Sequence, residues 1–177
     1  MESALFSWQR HTPRARSSLQ AGDIVGVRPL PYIITVNRQT YKLYVRKRKP
    51  TYPRKYVVTD IFTIAVGRKG FRTPTGYYEI TKKEFNPTWT PPDEDWVGPE
   101  LRDPETNEPI TLPSDHPQNP LAGAFLWVVE DEAVGIHGTK DIDSLGSSAS
   151  HGCIRVKPEV AVHLAKVLPL HTPVIIV

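Results

Sequence analysis

The most informative stretch of this chain is Ser150-His-Gly-Cys-Ile-Arg-Val156, together with the preceding Gly135-Ile-His-Gly-Thr139. It contains Cys153, the only cysteine in the sequence. A thiol acts as a nucleophile once it is deprotonated, and an adjacent imidazole can accept its proton. His151 is close in sequence, but His137 ends an apolar run and is followed by a glycine. Because catalytic partners usually come from separate elements that meet in space, we expect His137 to be the base.

The residues around Cys153 suit acyl transfer. Gly152 fits a tight turn that exposes backbone N–H groups, as an oxyanion hole requires, and Arg155 can grip a substrate carboxylate. Two alternatives stay open: an inert buried cysteine, or a zinc site shared with His137 and His151. Structural zinc sites use four ligands, however, and the chain has no cysteine pair. The pattern favours a nucleophilic cysteine that needs no metal or cofactor.

Outward from these segments the sequence is rich in strand signals. Its eighteen prolines disfavour long helices and central strands. Pro158 to Leu168 is the one good helix candidate, because apolar residues recur at helical spacing after an initial proline. Runs of β-branched and aromatic residues predict a hairpin of Tyr32 to Asn37 and Tyr41 to Val45. The other predicted strands are Lys55 to Val66, Gly76 to Thr81, Phe125 to Glu130, Ala133 to His137 and Pro173 to Val177.

The length of 177 residues favours a single domain. Residues 1–30 are polar and basic and are interpreted as a lead segment or linker, so the predicted domain covers 31–177. Residues 83–121 are rich in Pro, Asn and Asp and contain Trp89 and Trp96. A loop of this length in a compact domain is usually functional or disordered. The tryptophans favour an ordered loop that forms one wall of a cleft.

Charge and hydropathy limit the classes of partner. The net charge of +3 and the pI of about 9.0 permit contact with an anionic surface without requiring nucleic acid. No apolar run approaches the roughly 18 residues of a membrane-spanning helix. The first residues lack the apolar segment of a signal peptide. We therefore expect neither a nucleic-acid partner nor an integral membrane segment.

Together these segments resemble the signature of the YkuD-type L,D-transpeptidase catalytic domain family. The resemblance rests on His137-Gly-Thr followed by Ser150-His-Gly-Cys-Ile-Arg155, and it extends over about residues 31–177. Ala122 and Gly123 depart from the family pattern, because they follow Asn-Pro-Leu where a strand more often begins directly. Further similar landmarks are Ile33 to Val45, Thr73-Pro-Thr-Gly76, Asn86 to Pro92, Asn119-Pro-Leu121 and Thr172 to Val177.

The resemblance implies a mainly β, sandwich-like domain with one or two short helices and a long cleft-lining loop. It implies that Cys153 is the nucleophile, that His137 is its base, and that the backbone carbonyl of Gly138 orients the histidine. It also implies that the neighbours of the cysteine frame an oxyanion hole and contact the substrate. These neighbours are Ser150, His151, Gly152 and Arg155.

The resemblance further implies an enzyme of peptidoglycan. Such an enzyme attacks a tetrapeptide stem at its third residue, releases D-Ala, and transfers the acyl group to an amine. Stem peptides are then the partners, and the expected location is the periplasm, the cell wall or the cell exterior. Two alternatives are an L,D-carboxypeptidase that uses water as acceptor and a non-catalytic wall-binding module.

Overall fold

The computed structural model describes residues 30–51, 53, 55–94, 97–129 and 134–177. Except for residue 30, the predicted lead segment therefore lies outside the described residues, as does Trp96. One α-helix, α1, spans Pro158–Val167 of the described part, and single 3-10 turns lie at Pro99–Leu101 and Ile142–Ser144. The strands are β1 Tyr32–Asn37, β2 Lys42–Arg48, β3 Tyr56–Thr63, β4 Val66–Gly67, β5 Gly76–Glu79, β6 Lys82–Phe85, β7 Leu121–Val129, β8 Val134–Thr139, β9 Ser148–Ser150, β10 Ile154–Val156 and β11 Pro173–Ile176.

A five-stranded sheet has the order β3-β2-β1-β11-β5. The predicted hairpin forms β1 and β2, and its turn is closed by Asn37, whose Oδ1 accepts hydrogen bonds from two following backbone N–H groups. The alternation in β2 buries Leu43 and Val45, as expected for a strand with one face in the core. Strand β11 lies parallel to β1 and is paired on its other side with β5.

A second sheet has the order β10-β8-β7-β6, and α1 packs on one of its faces. Helix α1 begins at the predicted proline and buries Ala161, Leu164 and Ala165. Lys83 caps the carboxyl end of α1: Nζ of Lys83 donates to the carbonyls of Ala165 and Leu168 at 2.9 and 2.7 Å. Cations are favourable at this end of a helix.

The predicted strand Lys55 to Val66 is interrupted in the structure. Strand β3 ends at Thr63, and the buried residues Ile64 and Ala65 then leave the first sheet. Ala65 exchanges two backbone hydrogen bonds with Arg155, and β4 pairs with β9. The segment thus ties the first sheet to β9 and β10, a tertiary contact that local composition does not encode.

One apolar core joins both sheets and the helix, and it includes the fully buried Ile34, Leu126, Ile136, Ile154 and Leu164. The prediction of a mainly β domain with few helices is confirmed. The predicted loop is shorter than 83–121, because Lys83 to Phe85 lie in β6. Within the described residues, no helix has the length and apolar character needed to cross a membrane.

Candidate active site

The site lies where strands β8 and β10 run side by side. These strands are parallel, and their register pairs Ile136 with Ile154 and His137 with Arg155. Because side chains alternate along a strand, the two isoleucines enter the core while His137 and Arg155 share the other face. Cys153 immediately precedes β10, and a backbone hydrogen bond links its thiol to Gly135 of β8. Two short strands thus bring the thiol, the imidazole and the guanidinium together.

His137 is held in one orientation and one tautomer. The residue is 4% exposed, and its ring stacks on Phe125 of β7, with centroids 5.5 Å apart and an interplanar angle of 2°. Nδ1 lies 2.8 Å from the carbonyl oxygen of Gly138. Since a carbonyl only accepts, Nδ1 carries the proton and Nε2 has the lone pair. This is the geometry that the resemblance implies for Gly138.

The surroundings keep both reactive groups neutral. The pKa of His137 is lowered to about 4, mainly by burial; the hydrogen bond to Gly138 opposes this shift, and the positive charge of Arg155 adds a smaller lowering. Burial likewise raises the pKa of the Cys153 thiol, against the backbone bond from Gly135 and the positive charge of Arg155. A neutral imidazole can accept a proton at neutral pH, so the pair rests as thiol and base.

The turn before the nucleophile is fixed by its own side chains. Gly152 has φ of +114°, a conformation that side chains disfavour. Its N–H donates to Oγ of Ser150 at 3.2 Å, and that hydroxyl donates to the carbonyl of Cys153 at 2.5 Å. Ser150 is therefore buried inside the turn. Among the backbone N–H groups that the turn was expected to expose, that of Gly152 is engaged with this hydroxyl.

His151 is directed to a different part of the chain. Its Nε2 lies 2.6 Å from Nη2 of Arg68, and its ring meets Phe71 edge to face with centroids 4.7 Å apart. Because a guanidinium only donates, Nε2 of His151 is the acceptor. Burial, then Arg68 and Arg155, lower the pKa of this histidine. His151 therefore joins the turn to the segment that follows β4.

Arg155 is anchored by two residues whose role the sequence did not indicate. Its side chain is 16% exposed, and Nη1 lies 3.3 Å from Oδ2 of Asp141 and 3.5 Å from Oγ of Ser144. Both partners belong to the segment between the two motifs, which carries no local signal of this role. The guanidinium can still offer donors to a carboxylate in the site.

Thr73 is a second residue that sequence reasoning missed. Its Oγ1 donates to the carbonyl of Gly152 at 2.7 Å and accepts from the N–H of Gly67 at 2.8 Å. The side chain is 1% exposed. Thr73 entered the sequence interpretation only as part of a landmark, because its partner lies 79 residues away along the chain.

The long loop, residues 86–120, is held by a buried asparagine. Nδ2 of Asn119 donates to the carbonyls of Pro87 and Pro113 at 3.1 and 3.0 Å, and Oδ1 accepts from the N–H of Leu121 at 2.9 Å. Lys140, just after β8, donates to the carbonyl of His116 at 2.8 Å. These bonds connect the loop to the strands that carry the site. Its role as a cleft wall stays a prediction.

Metal ligation finds no support in the part of the chain that the structure describes. Three or more His, Cys, Asp or Glu side chains are nowhere grouped there so that they could hold an ion. The arrangement of Cys153, His137 and Arg155 instead suits nucleophilic attack on a carbonyl, with proton transfer to an imidazole.

Several known proteins are similar to this chain in sequence. The putative L,D-transpeptidase YqjB of Bacillus subtilis is 28% identical over 159 residues, which are 86% of this chain and 76% of that protein. The putative L,D-transpeptidase YkuD of Bacillus licheniformis is 30% identical over 164 residues, 89% of this chain and 74% of that protein. Against several other curated relatives the match spans 43% of their length.

The fold also matches solved structures. An L,D-transpeptidase from Mycobacterium smegmatis superposes with a TM-score of 0.60 at 18% identity, over 84% of this chain and 59% of that one. The sequence model of the L,D-transpeptidase catalytic domain, YkuD, matches residues 31–176. Since this match covers most of the sequence, the chain belongs to the L,D-transpeptidase catalytic domain (YkuD) family.

Proposed function

We propose that this chain is a peptidoglycan L,D-transpeptidase that works by a cysteine acyl-enzyme mechanism. The observation that carries the proposal is the register of β8 and β10, which pairs His137 with Arg155, two residues after Cys153. The imidazole orientation set by Gly138 supports the assignment of Nε2 as the base. The substrate is the tetrapeptide stem, and the site of action is outside the cytoplasmic membrane.

In the first half-reaction the sulfur of Cys153 attacks the carbonyl carbon of the third stem residue, and Nε2 of His137 takes the thiol proton. The tetrahedral oxyanion is stabilised by a backbone N–H group at the turn that carries the nucleophile. As the C–N bond breaks, the imidazolium returns its proton to the amine of the leaving D-Ala. A thioester on Cys153 remains.

In the second half-reaction an amine of another stem attacks the thioester. His137 accepts a proton from the attacking amine, and the thiolate leaves and recovers that proton. Low pKa values favour proton release, so the burial that keeps His137 neutral also makes its imidazolium a strong acid for the leaving group. Arg155 binds a substrate carboxylate and stabilises negative charge on the sulfur.

Mass spectrometry after incubation with a disaccharide tetrapeptide tests this function. The protein should gain the mass of the substrate minus D-Ala, and Cys153→Ala should gain nothing while remaining folded. With an acceptor stem present, a cross-linked dimer should appear. Release of tripeptide alone, even with excess acceptor, would identify an L,D-carboxypeptidase. If neither an adduct nor a product forms, a non-catalytic wall-binding module would explain the protein better than an enzyme.

A further inference from the structure

A buried hydroxyl outside the Cys–His pair contacts the turn that carries the nucleophile. Oγ1 of Thr73 lies between two backbone groups, the carbonyl of Gly152 at 2.7 Å and the N–H of Gly67 at 2.8 Å. The carbonyl can only accept and the N–H can only donate. The hydroxyl proton of Thr73 therefore points at Gly152, and the direction of both bonds is determined.

This bond fixes a peptide plane next to the reacting sulfur. The carbonyl of Gly152 and the N–H of Cys153 belong to the same peptide unit, and in a planar trans peptide they point in opposite directions. Holding the carbonyl toward Thr73 therefore aims the N–H of Cys153 to the opposite side. Gly152 has φ of +114°, so its backbone could otherwise reach orientations that other residues cannot.

The position of Thr73 depends on one hydrogen bond and on a glycine beside it. Nη1 of Arg38, at the turn of the first hairpin, donates to the carbonyl of Thr73 at 2.7 Å. On the other side, a Cβ on Gly67 would collide with the carbonyl of Phe71 and the amide nitrogen of Thr73. The absence of a side chain at Gly67 thus lets the backbone pass close enough for the hydroxyl to reach the turn.

We propose that Thr73 is a positioning residue that orients the N–H of Cys153 as an oxyanion-hole donor. This role rests on the proposed function, since an oxyanion forms only when the sulfur attacks a carbonyl. The N–H of Gly152 is directed at Oγ of Ser150. Losing a donor outright typically slows acyl transfer by about 10²–10³. Misdirecting one should cost about tenfold or more.

Two reactions of the same thiol separate this role from a general structural one. Iodoacetamide alkylates the sulfur by displacing iodide at a saturated carbon, so no oxyanion forms. A carbapenem such as imipenem is opened by attack at its lactam carbonyl, which does form one. Both rates should be measured by intact mass for the wild type, Thr73→Val and Thr73→Ser. Thr172→Val is the matched control, because Thr172 is also fully buried and its hydroxyl also donates to a backbone carbonyl at 2.7 Å.

Thr73→Val should acylate at least about tenfold more slowly while its alkylation changes less than about threefold. Thr73→Ser, which keeps the hydroxyl, should recover most of the acylation rate, and Thr172→Val should leave both rates unchanged. Equal losses in the two reactions, or no loss in acylation, would overturn the proposal. If the valine variant does not fold, Thr73→Ala and Thr73→Ser give the same comparison. A wild-type protein that alkylates but never acylates would instead refute the proposed function.

Discussion

The resting charge of His137 sets how the reaction should depend on pH. Burial lowers the pKa of this imidazole from 6.5 to about 4, which corresponds to about 3 kcal/mol in favour of the neutral form. At pH 5 a histidine of ordinary pKa is about 3% neutral, whereas His137 is about 90% neutral. Lowering the pH from 7 to 5 should therefore reduce the amount of active base by only about a tenth. For an unshifted histidine the reduction would be about 25-fold.

The assay is the rate of carbapenem acylation, followed by intact mass between pH 4 and pH 8. We expect less than a twofold change from pH 7 to pH 5 and a steep loss only near pH 4. The variant His137→Ala should show a much lower rate that rises with pH, because hydroxide then has to remove the thiol proton. A 25-fold loss by pH 5 in a protein that is still folded would refute the neutral, buried base.

The same shift makes stability depend on pH and supplies the folding control. The unfolded chain protonates this imidazole near 6.5 and the folded one only near 4, so the unfolded state binds more protons between these values. The free energy of unfolding therefore decreases as the pH falls, by about 2 kcal/mol between pH 7.5 and pH 5. Denaturant titrations at both pH values should show this decrease, and His137→Asn should lack it.

Three further predictions follow from the contacts of the site. His137→Ala should slow carbapenem acylation by about 10²–10⁴. His151→Ala should slow it less, because Nε2 of His151 faces a guanidinium. A larger loss in His151→Ala would mean that His151, and not His137, is the base. Asp141→Asn should weaken the hold on Arg155 and raise KM for a stem peptide by a few-fold with little change in kcat, because an exposed ion pair contributes only about 0.2–1 kcal/mol. A fall in kcat at constant KM would contradict this. Asn119→Ala should lower the free energy of unfolding by at least about 2 kcal/mol in denaturant titrations, because it leaves buried backbone groups without partners; a change under about 0.5 kcal/mol would show that the loop does not depend on it.

Sequence patterns predicted those parts of the fold that depend on neighbouring residues. The first hairpin follows from alternation in β2, and α1 follows from a proline and a helical apolar stripe. The pairing of the Cys153 thiol with the His137 imidazole stays a prediction, made because both residues stand in short segments with several chemically reactive side chains. The hairpin and the helix depend on interactions between residues close in sequence, where periodicity and turn chemistry carry the information.

The features that sequence did not predict depend on distant contacts. Strand β10 has only three residues, and its strand character comes from pairing with β8. The break after Thr63 exists because Ala65 pairs with Arg155. The role of Thr73 requires a bond to Gly152, and no composition or spacing near either residue reveals it.

The two histidines of the motifs differ in which ring nitrogen is hydrogen-bonded. This difference favours His137 as the base. His137 donates a hydrogen bond from its Nδ1–H to a carbonyl, so the lone pair is on Nε2, and the residue shares a strand face with Arg155. His151 places the lone pair of Nε2 against Arg68. Proximity in sequence would favour His151, which is two residues from Cys153. Hydrogen bonding favours His137, because a general base needs an accessible lone pair and a neutral ring before the thiol proton can move.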